Sequence, residues 1–203
     1  MTRRLVYEFR ISLRGIAPEI WRRIEVPAEA SFWDLHVAIQ DAMGWTDSHL
    51  HVFRVRHPEI PKRVDSIGIP LDDTFPGAAV HEPGWDIPVL LYLQLPGDTA
   101  EYEYDFGDGW VHDVLLEKIA MRLPRTRYPR CIAGARACPP EDCGGIAGYQ
   151  HVLDVLANPE DEEHASMLEW LGGAYDPAAF EPARVRFDDP EKRWRIAFGG
   201  EEE

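Results

Sequence analysis

LVYEFRISLRGIAPEIWRRIEV, residues 5–26, decides the fold. Leu5, Tyr7, Phe9, Ile11 and Leu13 share one side of an extended chain, and Glu8, Arg10 and Ser12 share the other. A period of two marks a half-buried strand, because successive side chains of a strand point to opposite faces. Gly15 to Glu19, with Pro18 inside, reads as a turn. The alternation then resumes, with Ile20, Arg22, Ile24 and Val26 on one side and Trp21, Arg23 and Glu25 on the other. The two runs predict an antiparallel pair.

Working outward, Ser31 reads as a helix N-cap, with Asp34 three residues on as a short form of the capping box. Phe32, Leu35, Ile39 and Met43 follow at helical spacing, and Gly44 suits the residue that ends a helix in a left-handed turn. His49 to Arg56 alternates again, with His49, His51, Phe53 and Val55 on one face. Strand, strand, helix, strand is a β-grasp-like opening. It predicts an α+β protein, a mixed or antiparallel sheet with helices packed on it.

Residues 57–88 are rich in Pro, Gly and Asp and read as a long excursion, with one short hairpin or a lid in it. Ile87 to Leu95 is apolar, and its period does not separate a strand from a short helix. Tyr102 to Phe106 and Trp110 to Ile119 form a hairpin turned at Gly107-Asp108-Gly109. A helix follows around Tyr149 to Leu156, ended by Asn158-Pro159, and a second runs from about Glu160 to Leu171, burying Met167, Leu168, Trp170 and Leu171. Phe180 to Phe187 reads as extended, and Pro190 to Phe198 as a helical turn or a strand. Residues 1–198 are expected to form one domain, a split near residue 120 being the alternative, with a polar, acidic tail at 199–203.

The chain has 203 residues, 45% hydrophobic, with 7 Trp, enough for a well-packed interior. No run of about 18 apolar residues offers a membrane-spanning helix. Charged residues at Arg3, Arg4, Glu8 and Arg10 leave no apolar core for a signal peptide, so a cytoplasmic location is expected. Net charge is -15, which repels a phosphate backbone and disfavours nucleic acid as a partner. Basic charge is concentrated only in residues 121–140, where Arg122, Arg125, Arg127, Arg130 and Arg136 stand without an acid. That segment reads as a solvated loop or an anion-binding patch. Three cysteines, Cys131, Cys138 and Cys143, lie within thirteen residues. An odd count argues against a disulfide framework and leaves metal ligation, a reactive thiol, or buried small side chains.

Two stretches carry the chemistry, EYEYDFGDGWVH at 101–112 and CPPEDCGG at 138–145. Cys131, Cys138 and Cys143 with His112 offer a tetrahedral sulfur and nitrogen set of the kind zinc takes, although C-x6-C-x4-C is not a standard zinc-finger spacing. Asp105, Asp108 and His112, with Asp113, Glu141 and Asp142, offer a carboxylate–histidine set for Mg²⁺ or Mn²⁺ and water activation. The plainer reading is that Asp and Gly shape the turn through side-chain to backbone bonds. His49 and His51 share a strand face and read as a half-buried, hydrogen-bonded pair or as ligands. A Cys138 or Cys143 nucleophile with His112 as base lacks any third orienting group. The seven tryptophans are spread along the chain as core or groove-lining rings, and only Trp21, beside Arg22 and Arg23, resembles a base-stacking surface.

Four blocks, in order, resemble the plasmid pRiA4b ORF-3-like family. They are Pro18-Glu19-Ile20-Trp21-Arg22-Arg23; Met43-Gly44-Trp45 with His49-Leu50-His51-Val52-Phe53; Tyr104-Asp105-Phe106-Gly107-Asp108-Gly109-Trp110-Val111-His112; and Tyr128-Pro129 leading into Cys138–Gly145 and Gly148-Tyr149. The resemblance spans about residues 5–187 and implies a stand-alone α+β domain. Some members resemble passenger proteins of insertion elements and carry a resolvase-type label. The chain has neither the serine nor the tyrosine recombinase arrangement to match that label. The reading that follows is a ligand- or partner-binding domain. Its groove lies where the Asp105–His112 hairpin meets the Cys138–Gly145 loop, lined by Trp110, His112, Glu141 and Asp142, with Arg127 and Arg130 beside it. A metal-dependent hydrolase or nuclease using Asp105, Asp108 and His112 is one alternative, and a purely structural zinc site is the other.

Overall fold

The computed structural model describes residues 5–70 and 82–199. Among them, eight strands form one sheet in the order β5-β4-β3-β6-β7-β1-β2-β8. The strands are β1 Leu5–Leu13, β2 Ile20–Pro27, β3 His51–Arg56, β4 Val64–Gly68, β5 Glu82–Pro83, β6 Thr99–Tyr104, β7 Trp110–Met121 and β8 Arg130–Ala135. Every pairing is antiparallel except that of β4 with β5. Four helices complete the α+β architecture: α1 Phe32–Met43, α2 Gly145–Ala157, α3 His164–Trp170 and α4 Pro190–Phe198.

The alternation at residues 5–26 fixes what faces what. β1 pairs with β2 from Val6 opposite Pro27 to Leu13 opposite Ile20. Phe9, Ile11, Ile20 and Ile24 are fully buried with Phe32, Leu35 and Ile39 of α1, so the helix covers this face. Arg22 shares the apolar face and is 1% exposed. The opposite face carries charge: Arg10 pairs with Glu19, Arg14 with Asp113, Arg23 with Glu117 and Arg54 with Glu103. Such half-exposed pairs contribute little individually, but they keep this face wet.

α1 begins as the sequence predicts. The Ser31 hydroxyl accepts the Asp34 N–H, and Asp34 Oδ2 accepts the Ser31 N–H. It ends at Gly44, at φ 96°. α4 is fastened across α1 by Arg193 on Asp41 (2.7 Å) and by the Trp33 indole N–H on the Pro190 carbonyl (2.9 Å).

Several elements differ from the sequence reading. β3 starts at His51, because His49 turns toward another loop. Within residues 57–88 the short hairpin is the form taken, since β4 pairs antiparallel with β3 from Val52 opposite Gly68 to Arg56 opposite Val64. Residues 71–81, the middle of the 57–88 stretch, lie outside the described residues, as do residues 1–4 and the tail beyond Gly199. At residues 87–95, where strand and short helix were both open, Val89–Leu91 forms a single 3-10 turn, with Val89 and Leu93 buried. Arg130–Ala135, read as loop, is a strand on β2; its short, small-residue sequence RCIAGA hides the pattern of an edge strand. α3 is shorter than expected and buries no residue fully, with Trp170 half exposed. The expected extended stretch at residues 180–187 contains a 3-10 turn at Pro182–Arg184, and residues 190–198 resolve to a helix. No helix of the described residues is long and apolar enough to cross a membrane.

Candidate functional site

The β6–β7 hairpin and the 138–145 loop meet. Asp105 takes φ 54°, and its Oδ1 accepts the N–H groups of Gly107 (2.9 Å) and Asp108 (3.3 Å), the turn chemistry expected of that sequence. Asp108 Oδ2 accepts the Gly144 N–H at 3.2 Å. Gly145, at φ 68°, brings its α-carbon against the Asp108 backbone, where a Cβ would lie 2.5 Å from the carbonyl oxygen. The loop is held from below as well. The Trp45 indole N–H donates to the Pro139 carbonyl (3.0 Å) and the Tyr175 hydroxyl to the Cys138 carbonyl (2.9 Å).

Three separate segments deliver a carboxylate–histidine cluster to this junction. His49 Nε2 lies 3.1 Å from Asp142 Oδ1, 3.6 Å from Asp105 Oδ2 and 3.7 Å from Glu141 Oε2. Nε2 is nevertheless buried without a hydrogen bond of acceptable geometry. Glu141 is anchored by the Thr46 N–H (2.7 Å) and by the Tyr104 hydroxyl (3.1 Å to Oε1). Burial and the Glu141 charge push the Tyr104 hydroxyl well above its ordinary value, so it stays protonated and donates. Asp105 is nearly buried, while Asp142 reaches solvent and takes φ 56°.

The other sequence candidates are distributed differently. His112 faces inward with Trp110 and Val114, as the strand alternation requires. It is fully buried, with Trp45 edge-on at 5.4 Å, and burial lowers its pKa to about 4. His112 therefore belongs to the core beneath the junction. Trp110 is buried beside it. The three cysteines are free and half-buried, and burial raises each thiol, Cys143 to about 12. Among the described residues, the groups whose ligand atoms lie within 4.8 Å of one another are His49–Asp105–Asp142 and His36–Asp47–His51, and neither includes a cysteine or His112. Arg130 opens β8 and pairs with Glu25 at 2.5 Å; the loop leaves the strand's other end, about 17 Å away. Arg127, exposed just before β8, lies at that same far end.

His49 and His51, read as one pair, join different groups. His51 stacks on His36 with centroids 3.5 Å apart and planes 9° from parallel. Both His36 nitrogens are engaged, by the Tyr102 hydroxyl (2.8 Å) and by Asp47 Oδ1 (2.7 Å). This second group is a buried hydrogen-bonded network under α1. Asp47 in it has its pKa raised to about 6, chiefly by burial. The sequence reading missed His36 as a polar member of a buried helix face, and missed His49 as the partner of Asp105 and Asp142. Only the tertiary meeting of three segments reveals the latter.

Gly148 decides whether the loop can sit where it does, because a Cβ there would lie 1.7 Å from the Cys143 carbonyl oxygen. The Gly148→Ala variant is expected to displace the loop and to cost about 1–3 kcal/mol or more. Thermal denaturation checks this, and an unchanged midpoint would contradict the packing described.

A single antiparallel-dominated sheet, helix-covered on one face, with a hairpin-and-loop junction at its end, defines an α+β domain class. The sequence matches the model of the plasmid pRiA4b ORF-3-like protein over residues 5–184, and the chain belongs to this family. It is similar to the uncharacterized protein y4hQ of Sinorhizobium fredii, 35% identical over 193 residues, covering 93% of this chain and 94% of that one. It is also similar to a crystal structure of MM3350, a protein of unknown function from Methanosarcina mazei Go1. That match has a TM-score of 0.82 and 41% identity, covering 92% of this chain and 100% of that one.

Proposed function

We propose that the chain is a cytoplasmic, single-domain binding protein whose site takes a divalent cation at His49, Asp105 and Asp142, with Glu141 beside them. The observation that carries this reading is a buried imidazole nitrogen with three carboxylate oxygens within 3.7 Å and no properly formed hydrogen bond to any of them. An oxygen-rich set with one imidazole suits Mn²⁺ or Mg²⁺ better than a thiolate-seeking ion. The bound cation would present its remaining positions to a ligand in the adjoining cleft of about 380 Å³, bounded by Trp45, Cys138, Glu141, Trp170 and Tyr175. Net charge of -15 speaks against nucleic acid as that ligand.

Titration with Mn²⁺, followed by electron paramagnetic resonance and calorimetry, tests the reading. One bound ion per chain is expected, with affinity falling at least about tenfold in His49→Gln and Asp142→Asn. Absence of binding by Mn²⁺, Mg²⁺ and Zn²⁺ would remove the proposal. The alternative is a metal-dependent hydrolase, favoured by the same carboxylates. It would use His49 rather than the buried His112 and would show Mn²⁺-dependent phosphoester turnover lost in Asp142→Asn.

A further inference from the structure

A second cleft, of about 450 Å³, lies apart from the junction, between the start of α1, the residues after β5, and α4. Its walls are the indoles of Trp33, Trp85 and Trp194. Trp85 and Trp194 meet nearly at right angles, with centroids 6.0 Å apart at 71°. Phe198 packs behind them, 5.3 Å from Trp85, 5.8 Å from Trp194 and 5.6 Å from Trp33. The rings are held in place. Trp33 is tied to the Pro190 carbonyl through its N–H, and α4 is clamped by Arg193 on Asp41.

The polar rim has one sign. Glu29, Asp34, Asp86 and Glu191 line the cleft, and no lysine or arginine does among the described residues. Three of them have a partner. Glu29 holds Arg122 at 2.7 Å, Glu191 holds Arg195, and Asp34 Oδ2 caps α1. Asp34 and Asp86 form no ion pair among the described residues, so their charges stay uncompensated locally. Aromatic faces and a negative field together favour an organic cation whose charge the rings and the carboxylates can stabilise.

We propose that this cleft binds a small free ligand carrying a quaternary ammonium group. The ring quadrupoles face the methylated cation, and Asp34 and Asp86 supply the countercharge. A primary ammonium is strongly hydrated and gains less from ring faces than a methylated cation does. The Trp194 indole N–H is buried without a partner among the described residues, so a hydroxyl oxygen on the ligand would add a bond on that wall. This site is independent of the His49 cluster.

Calorimetry and tryptophan fluorescence with choline, tetramethylammonium and the neutral choline isostere 3,3-dimethylbutan-1-ol test the proposal on the intact chain. Choline and tetramethylammonium are expected to saturate one site, with the neutral isostere at least about tenfold weaker. Trp85→Ala should abolish binding, and Trp85→Phe should retain it within about tenfold. Asp86 is exposed, so Asp86→Asn preserves the fold and should weaken the cations while leaving the isostere unchanged. His49→Gln should leave choline binding intact. Equal affinity for the isostere, undiminished choline binding in Asp86→Asn, or no saturable binding of either cation would each overturn the proposal.

Discussion

Replacing Arg22 with Ala is expected to lower stability by about 3–5 kcal/mol, roughly 10 °C in melting temperature for a chain of this size. The guanidinium joins four parts of the fold. It donates to the carbonyls of Ala42 at the end of α1 (2.8 Å), of Trp21 in β2 (2.8 Å) and of Ala135 at the end of β8 (2.9 Å). It also lies 3.7 Å from the ring centroid of Phe180. No carboxylate pairs with it among the described residues, and burial lowers its pKa. Its contribution is therefore packing and carbonyl satisfaction rather than ion pairing. Arg22→Met separates the two parts, refilling the volume while leaving three carbonyls without their donor. It is expected to cost about 1–3 kcal/mol. Equal losses in the two variants, measured by denaturant unfolding, would show that packing against Phe180 contributes nothing.

Acidification is expected to unfold the protein through its buried histidines. His112 has a pKa of about 4 in the folded chain against 6.5 for the free side chain, because burial penalises the imidazolium. Between those values the unfolded state binds the proton and the folded state does not, so stability falls as pH falls from 6.5 to 4. The full swing is about 3 kcal/mol. His36, lowered by burial and by Arg193, acts in the same direction. Asp47 opposes them. Its folded pKa of about 6 exceeds the unfolded 3.8, so the folded state holds the extra proton and gains stability as pH drops through that window. Two histidines against one aspartate leave a net loss in acid. His112→Leu should flatten the slope of unfolding free energy between pH 6.5 and 4 whatever it does to absolute stability. An unchanged slope would place the titration elsewhere.

The half of the fold that was legible in the sequence is the half governed by local rules. The β1–β2 alternation, the Ser31–Asp34 capping box, the Gly44 stop and the Asp105–Gly109 turn each rest on residues within a few positions of one another. The same alternation placed His112 beside Trp110 and Val114 on one strand face. What stayed hidden depends on distant partners. β8 has an edge strand's irregular composition, including Gly134, where a Cβ would lie 2.4 Å from Phe180. His49 and His51 obey one strand period, yet the chain bends before His51 and sends the two rings to different clusters. The three tryptophans of the second cleft come from positions 33, 85 and 194, a meeting that no spacing rule anticipates.

β1 lies inside the sheet, between β2 and β7, with Leu5 opposite Met121 and Leu13 opposite His112. During synthesis its first neighbour is available almost at once, but the second is encoded about a hundred residues later. At ordinary translation rates that interval is roughly 5–20 s. Throughout it, the β1–β2–α1 unit presents a bare strand edge whose outward groups match any extended segment nearby. Closure over so long a loop is also slow by topology alone. The chain should thus depend on chaperone shielding or slow dilution more than a protein of equal stability with local strand pairing, and its refolding yield should fall steeply with concentration.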